Sequence, residues 1–108
     1  MEKFVNTLLD ALNAGDVDGA LSLFAPGAVI DDVSVGDAFV GTDGIRQYFD
    51  QFFVGYHTTS RRLSLTQLDD VTAIVRVDFT GDFGYEIGAL RIRKDTAGLI
   101  EHIAASLE

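Results

Sequence analysis

The first part of the chain has hydrophobic residues at intervals of three and four, the spacing of one face of an α-helix. In the first helical segment they are Phe4, Val5, Leu8, Leu9 and Leu12. Gly15 supplies the left-handed stop at which many helices end. Asp16 is a good N-cap for a second, short helix that Pro26 and Gly27 terminate. Its hydrophobic stripe consists of Val17, Ala20, Leu21 and Phe24. The pattern therefore predicts a tight helical hairpin.

A strand and a third helix follow the hairpin. Residues 28–33 are rich in β-forming side chains and lead into the glycine-punctuated loop SVGDAFVG, residues 34–41. Thr42 or Asp43 can cap the third helix, and Gly55 ends it. A broad, mainly aromatic face is predicted from Ile45, Tyr48, Phe49, Phe52 and Phe53.

From His57 onward the hydrophobic pattern has a period of two, which is typical of strands. Turn signals at 69–70, 81–84 and 95–98 separate three antiparallel strands and a last strand from about Leu99 to Leu107. The order is helix, helix, strand, helix and then four strands. It predicts an α+β fold whose helices pack on one face of a curved sheet and leave a cavity.

Composition limits the partners of this predicted fold. At 108 residues, with 47% hydrophobic content and eight Phe, the chain forms one domain, 1–108, with a real core. The net charge of −9 repels phosphate backbones and anionic lipids, so we expect no nucleic acid and no membrane partner. No segment approaches the ~20 apolar residues needed to span a bilayer, and the N-terminus lacks the apolar run of a signal peptide. A cytoplasmic location is the default expectation.

Three segments carry a family resemblance that spans nearly the whole chain. They are ALNAGDVDGALSLFAPGAVIDD, VGTDGIRQYF and RIRKDTAGLIEHIAA. They resemble the nuclear transport factor 2-like superfamily, in particular its branch of ketosteroid isomerases and SnoaL-like polyketide cyclases. The resemblance implies a cone-like roll in which three N-terminal helices pack on a curved mixed or antiparallel sheet. It does not imply one activity, because this fold hosts isomerases, cyclases, hydrolases, dehydratases and non-catalytic binding modules.

The resemblance carries over only part of the isomerase machinery. Asp32 falls where the isomerases place their general base, at the end of the first strand. Leu8 and Leu90 occupy the positions of the two oxyanion donors, and Phe49 stands where a supporting tyrosine would be. An oxyanion donor is typically worth ~10²–10³ in rate, so authentic ketosteroid isomerase activity is not expected.

Asp32 and His57 are candidates for catalysis. Neighbouring strand residues point to opposite faces, so only one of Asp31 and Asp32 should face inward. Asp32 is then either a base at the pocket or a solvated strand-end carboxylate. His57 opens the second strand near the expected mouth and is either a donor or base there or a surface histidine.

Glu86 is the third catalytic candidate. It shares a strand face with Leu90, which the resemblance turns toward the cavity. A lone buried carboxylate is expensive. Glu86 therefore sits at the open rim, pairs with Arg61 or Arg62, or is partly protonated. Adjacent arginines face opposite ways. Strict alternation places Arg61 inward and the resemblance favours Arg62, which leaves room for a bulge.

Other chemistry finds little support. Arg76-Val77-Asp78 is similar to the Arg-x-Asp pair of epoxide hydrolases in this superfamily, but its charged residues alternate with apolar ones and should face outward. Ala105 also stands where the second aspartate of those enzymes would be. Two isolated histidines without any cysteine predict no metal site, and the glycine spacings fit no phosphate loop, so we expect no cofactor.

The leading hypothesis is a small protein that binds a hydrophobic molecule and uses Asp32 as a base for isomerase- or cyclase-type proton transfer. The alternatives are a non-catalytic dimeric binding module, and a hydrolase or dehydratase using Asp32 with His57 or Glu86. The outer sheet face is too apolar for solvent alone, so we expect a homodimer through it. The predicted pocket walls are Leu8, Phe24, Tyr48, Phe49, Phe52, Val75, Val77, Phe79, Leu90, Ile103 and Ala105.

Overall fold

The computed structural model describes all residues, 1–108, as three helices and six strands. The helices are α1 (Glu2–Asn13), α2 (Val17–Leu21) and α3 (Gly41–Phe49), and a π-helical turn, Asp50–Val54, extends α3. The strands are β1 (Phe24–Asp32), β2 (Asp37–Val40), β3 (Thr59–Gln67), β4 (Thr72–Gly81), β5 (Gly84–Lys94) and β6 (Ile100–Leu107). None of the helices is long and apolar enough to cross a membrane.

The strands form one sheet with the order β2-β1-β6-β5-β4-β3. Every neighbouring pair is antiparallel except β1 and β6, which run parallel. The helices pack on one face of this sheet and bury a core of 20 residues. This arrangement confirms the expected α+β roll with a mixed sheet.

Two boundaries differ from the sequence-based expectation. Phe24 does not extend the second helix but begins β1, where it pairs with Ile100. The pairing of β1 with β6 is irregular between Phe24 and Val29, and this irregularity accommodates Pro26, which has no N–H for a regular ladder. The predicted loop 34–41 contains strand β2, because the turn before it folds the chain back onto the outer edge of β1.

Strand β3 contains a bulge that orients its two arginines. The β3–β4 register shifts between Arg62 and Ser64, so Leu63 is the extra residue. Arg61 pairs across the sheet with Asp78 at 3.0 Å, whereas Arg62 pairs with Glu2 of α1 at 2.8 Å. Arg62 is therefore the arginine on the helix-covered face, and neither arginine reaches Glu86.

The register groups inward-facing residues into rows across the sheet, and these rows position the site. The first row, Ala73, Ile92, Ile103 and Ile30, is almost fully buried beneath the helices. The boundary row consists of Val75, Leu90, Ala105 and Asp32. Phe79 pairs with Glu86 further along β4 and β5, where the roll opens.

Candidate functional site

A cavity of about 290 Å³ lies at the open end of the roll, between the sheet, α3 and the segment that leads into β3. Eight of its twelve lining residues are hydrophobic. The lining consists of Asp32, Ser34, Val35, Tyr48, Phe52, Phe53, Tyr56, Thr58, Phe79, Phe83, Glu86 and Leu107. Its size is near the lower end of the range for small-molecule sites, about 300–1,000 Å³.

Asp32 is the polar group at the inner end of this cavity. As the last residue of β1 it turns inward and is only 7% exposed, whereas its neighbour Asp31 is exposed on the other face. Its Oδ1 accepts hydrogen bonds from the Ser34 backbone N–H at 2.9 Å and from the Ser34 hydroxyl at 2.5 Å. The turn after β1 therefore fixes the carboxylate and compensates part of its charge.

Tyr48 donates a hydrogen bond to the other oxygen of Asp32. The distance from the hydroxyl oxygen to Oδ2 is 2.6 Å. The ring is held on α3 by Phe39 and Phe52, whose centroids lie 4.8 and 5.3 Å from it. Burial, and then the hydrogen bond to Asp32, raises the pKa of the Tyr48 hydroxyl well above its ordinary value. Tyr48 is therefore a hydrogen-bond donor in the site and not a base.

An aromatic wall continues from Tyr48 to the mouth of the cavity. The ring centroids of Phe52 and Tyr56 are 5.8 Å apart, and those of Tyr56 and Phe83 are 6.0 Å apart. The π-helical turn after α3 aids this arrangement, since both Phe52 and Phe53 lie on the cavity side. Apolar flat molecules are the ligands that such a wall contacts best.

The opposite wall depends on a glycine. A Cβ at Gly88 would lie 2.9 Å from Cε2 of Phe79 and 2.9 Å from the backbone oxygen of Ser106. Only a residue without a side chain lets the Phe79 ring approach β5 this closely. Gly88 therefore sets the position of a cavity-lining ring.

Glu86 lies at the mouth and is exposed. Of the three alternatives open for it, the structure supports the rim position. Arg61 and Arg62 pair elsewhere, and no ion pair of the protein includes Glu86.

His57 does not line the cavity, although Tyr56 and Thr58 on either side of it do. Its side chain is 80% exposed, and Nδ1 lies 2.9 Å from Oδ2 of Asp82. The backbone takes a left-handed conformation, φ 54°, which turns the imidazole away from its neighbours. Of the two alternatives for His57, the structure places it as a surface histidine paired with Asp82 and not as a donor or base at the mouth.

The predicted pocket walls fall into three groups. Tyr48, Phe52 and Phe79 line the cavity. Leu90 and Ala105, on the boundary row, line a crevice of about 30 Å³ beside Asp32. The remaining six are corrected to core positions, because they are buried beneath the helices and line neither the cavity nor the crevice. These six are Leu8, Phe24, Phe49, Val75, Val77 and Ile103.

Several lining residues were missed from the sequence. They are Ser34, Val35, Phe53, Tyr56, Thr58, Phe83 and Leu107. Ser34 had a readable signal, since a serine two residues after an aspartate is typical of a turn closed by the carboxylate. Most of the others lie in turns or at element ends, where hydrophobic periodicity gives no direction.

Arg76 and Asp78 face away from the cavity. Arg76 forms two hydrogen bonds to Glu108, at 2.6 and 2.8 Å, and Asp78 pairs with Arg61. An epoxide hydrolase-type arrangement of this pair inside the cavity is therefore ruled out by geometry.

Solved structures with the same fold include proteins from several sources. A proposed polyketide cyclase from Sinorhizobium meliloti is 24% identical with a TM-score of 0.85, over 95% of this chain and 93% of that one. Rv0760c of Mycobacterium tuberculosis, solved with estradiol-17β-hemisuccinate, is 20% identical with a TM-score of 0.84, over 94% and 88%. A computationally designed 17-OHP binder is 17% identical with a TM-score of 0.82, over 94% and 86%. At these identities the likeness establishes the fold.

No curated protein matches the sequence. The family model described as the SnoaL-like domain matches residues 5–102, which is most of the chain. This match confirms the resemblance to the SnoaL-like branch of the nuclear transport factor 2-like superfamily. The chain belongs to the SnoaL-like domain family.

Proposed function

We propose that this protein binds a compact hydrophobic molecule in the open-end cavity and holds the polar group of that molecule against Asp32. The observation that carries the proposal is the buried Asp32 carboxylate, oriented by Tyr48 and Ser34 at the inner end of an aromatic cavity. A few fixed polar groups in a mainly apolar cavity are the usual features of a small-molecule site.

The same carboxylate supports a proton-transfer reaction of isomerase or cyclase type. Oδ1 already accepts two hydrogen bonds, whereas Oδ2 accepts one, from Tyr48. A carboxylate oxygen has two lone pairs, so Oδ2 keeps one for a ligand hydroxyl or for a proton on carbon. Tyr48 fixes the direction of that lone pair.

A binding module without catalysis is the second candidate. The two positions that the resemblance assigns to oxyanion donors are leucines, Leu8 and Leu90, and a leucine side chain has no hydrogen-bond donor. Tyr48 is engaged with Asp32. Each missing oxyanion donor lowers the rate of such a reaction by a factor of ~10²–10³. A hydrolase or dehydratase that uses His57 is disfavoured, because His57 lies outside the cavity.

Binding is tested first with 1-naphthalenemethanol, a neutral apolar alcohol, by calorimetric titration. We expect saturable binding and about tenfold weaker binding in Asp32→Asn, since a hydrogen bond to a charged acceptor is worth ~1.5–3 kcal/mol. Asp31→Asn is the matched control, because it removes the same charge on the opposite face. Absence of saturable binding, or equal weakening in both variants, would overturn the proposal.

Base chemistry is tested with 5-nitrobenzisoxazole, which opens to a cyanophenolate when a base removes its carbon-bound proton and the N–O bond breaks. If Asp32 is a competent base, the protein accelerates this reaction over buffer, Asp31→Asn retains the acceleration and Asp32→Asn loses it. If the wild-type protein binds naphthalenemethanol without accelerating this reaction, the binding-module candidate is favoured.

We also propose that the outer sheet face pairs two copies of the chain. Tyr85 is 74% exposed there, and the half-buried Ile87 lies on the same face of β5. A second copy would cover the tyrosine and remove its apolar ring from water. Light scattering at micromolar concentration should give a dimer mass, and Tyr85→Lys should shift it toward the monomer. A wild-type monomer would contradict this.

A further inference from the structure

We propose that the mouth of the cavity, formed by Glu86, Tyr56 and Phe83, selects ligands that carry a protonated amine and rejects carboxylates. This inference rests on the proposed binding function and specifies its ligand class. The ligand would be a compact apolar ring body with an ammonium group directed toward Glu86.

The polar lining of the cavity contains no cation. Its polar residues are Asp32, Ser34, Tyr48, Tyr56, Thr58 and Glu86. No lysine, arginine or histidine lines the cavity. An anionic ligand would therefore find two carboxylates and no group to neutralise its charge, which is unfavourable in a partly desolvated site.

The two carboxylates differ in how well they are compensated. Asp32 accepts three hydrogen bonds from Tyr48 and Ser34. Glu86 has no ion pair, and its cross-strand neighbour is the uncharged Phe79. The site thus has one acidic group at its inner end that the protein hydrogen-bonds, and one solvent-exposed acidic group at its mouth that has no ion pair.

The three arginines of β3 and β4 pair with acidic residues other than Glu86. Arg61 pairs with Asp78, Arg62 with Glu2 and Arg76 with Glu108. These three side chains therefore do not compete with a ligand cation for Glu86. The net charge of −9 adds a long-range attraction for cations.

The aromatic rings at the mouth add a second attraction for a ligand cation. Tyr56 and Phe83 are both 40% exposed and line the mouth with ring centroids 6.0 Å apart. The negative face of an aromatic ring attracts an ammonium group. A carboxylate together with aromatic faces is the combination that recognises an amine on an apolar body.

Three ligands that share a naphthalene ring test this inference: 1-naphthylmethylamine, 1-naphthalenemethanol and 1-naphthoic acid. At neutral pH they present a cation, a neutral group and an anion. We expect the amine to bind about tenfold more tightly than the alcohol, as an exposed ion pair and a cation–π contact together allow, and the acid to bind most weakly. Calorimetric titration at low and at physiological ionic strength measures all three.

Glu86→Gln should reduce the advantage of the amine over the alcohol to about twofold or less, because the aromatic contribution and the overall charge remain and Asp32 already accepts three hydrogen bonds. Asp70→Asn is the matched control. It removes the same charge from an exposed residue of the β3–β4 turn that is absent from the cavity lining, and it should leave the advantage unchanged.

The outcomes separate this inference from the proposed function. Equal binding of the three ligands, preference for the acid, or an unchanged amine preference in Glu86→Gln would overturn the selection by Glu86 and leave the binding function standing. Failure of all three ligands to bind would overturn the binding function and, with it, this inference.

Discussion

The inner and open ends of the roll use the same sheet face in opposite ways. At the inner end the first row of strand residues lies against the helices and is almost completely buried. At the open end, beyond Asp32 and Leu90, the helices no longer cover the sheet as closely and a cavity of about 290 Å³ remains. One continuous hydrophobic face is therefore part core and part binding surface.

The difference comes from what packs on the sheet and not from the sheet itself. Asn13, at the end of α1, exchanges two hydrogen bonds with the backbone of Ser60, at 2.9 and 2.7 Å, and this fixes where α1 ends over β3. Beyond that point the space is bordered by α3 and the π-helical turn, whose rings line the cavity without filling it.

The largest effect is expected in the core, at the inner end of the roll. Leu8→Ala removes a side chain that is 2% exposed and should lower the free energy of unfolding by about 2–5 kcal/mol, as is typical for a buried leucine. Urea unfolding measures the loss. Affinity for naphthalenemethanol should be unchanged under conditions in which the variant is folded. A small stability loss with a large loss of affinity would mean that Leu8 belongs to the binding site.

A medium effect is expected at the hydrogen bond between Tyr48 and Asp32, where the core meets the cavity. Tyr48→Phe leaves Oδ2 of Asp32 without its protein donor, and we expect a loss of about 1–2 kcal/mol in unfolding free energy at neutral pH. Cavity water can replace part of the lost hydrogen bond.

The pH dependence of Tyr48 gives a second readout of the same contact. Its pKa is raised in the folded protein, so the unfolded chain releases this proton first. This contribution to stability is complete below about pH 10, the pKa of tyrosine in the unfolded chain. It is lost as the pH rises from there toward the higher pKa of the folded protein, by up to ~1.4 kcal/mol per pH unit. Urea unfolding at neutral and alkaline pH should show a steeper alkaline decline in wild type than in Tyr48→Phe. Equal slopes would contradict this.

The smallest effect is expected at the surface beside the mouth. His57→Asn keeps a residue that tolerates the left-handed conformation and removes the exposed pair with Asp82. The unfolding free energy should change by less than about 1 kcal/mol, and naphthalenemethanol affinity should not change. A large loss of affinity or of base chemistry in this variant would return His57 to the site.

The sequence allowed the helical hairpin, the aromatic helix and the later strands to be predicted, because their hydrophobic periods are regular. The inward direction of Asp32 rather than Asp31 and the bulge near Arg62 were also anticipated as possibilities. Periodicity could not place the border between core and cavity, since Val77 and Phe79 share one inward pattern yet only Phe79 lines the cavity. The contact between Tyr48 and Asp32 joins two elements, and single-element patterns contain no information about it.

The parallel pairing of β1 with β6 has a consequence for how the protein folds. Asp32 stands opposite Ala105, a partner more than seventy positions away along the chain. Such a distant contact forms only after a large loop has closed, and pairings of this kind slow folding. Shorter-range units such as the helical hairpin and the β4–β5 hairpin can assemble earlier. The inner end of the ligand site is then among the last parts of the molecule to take shape.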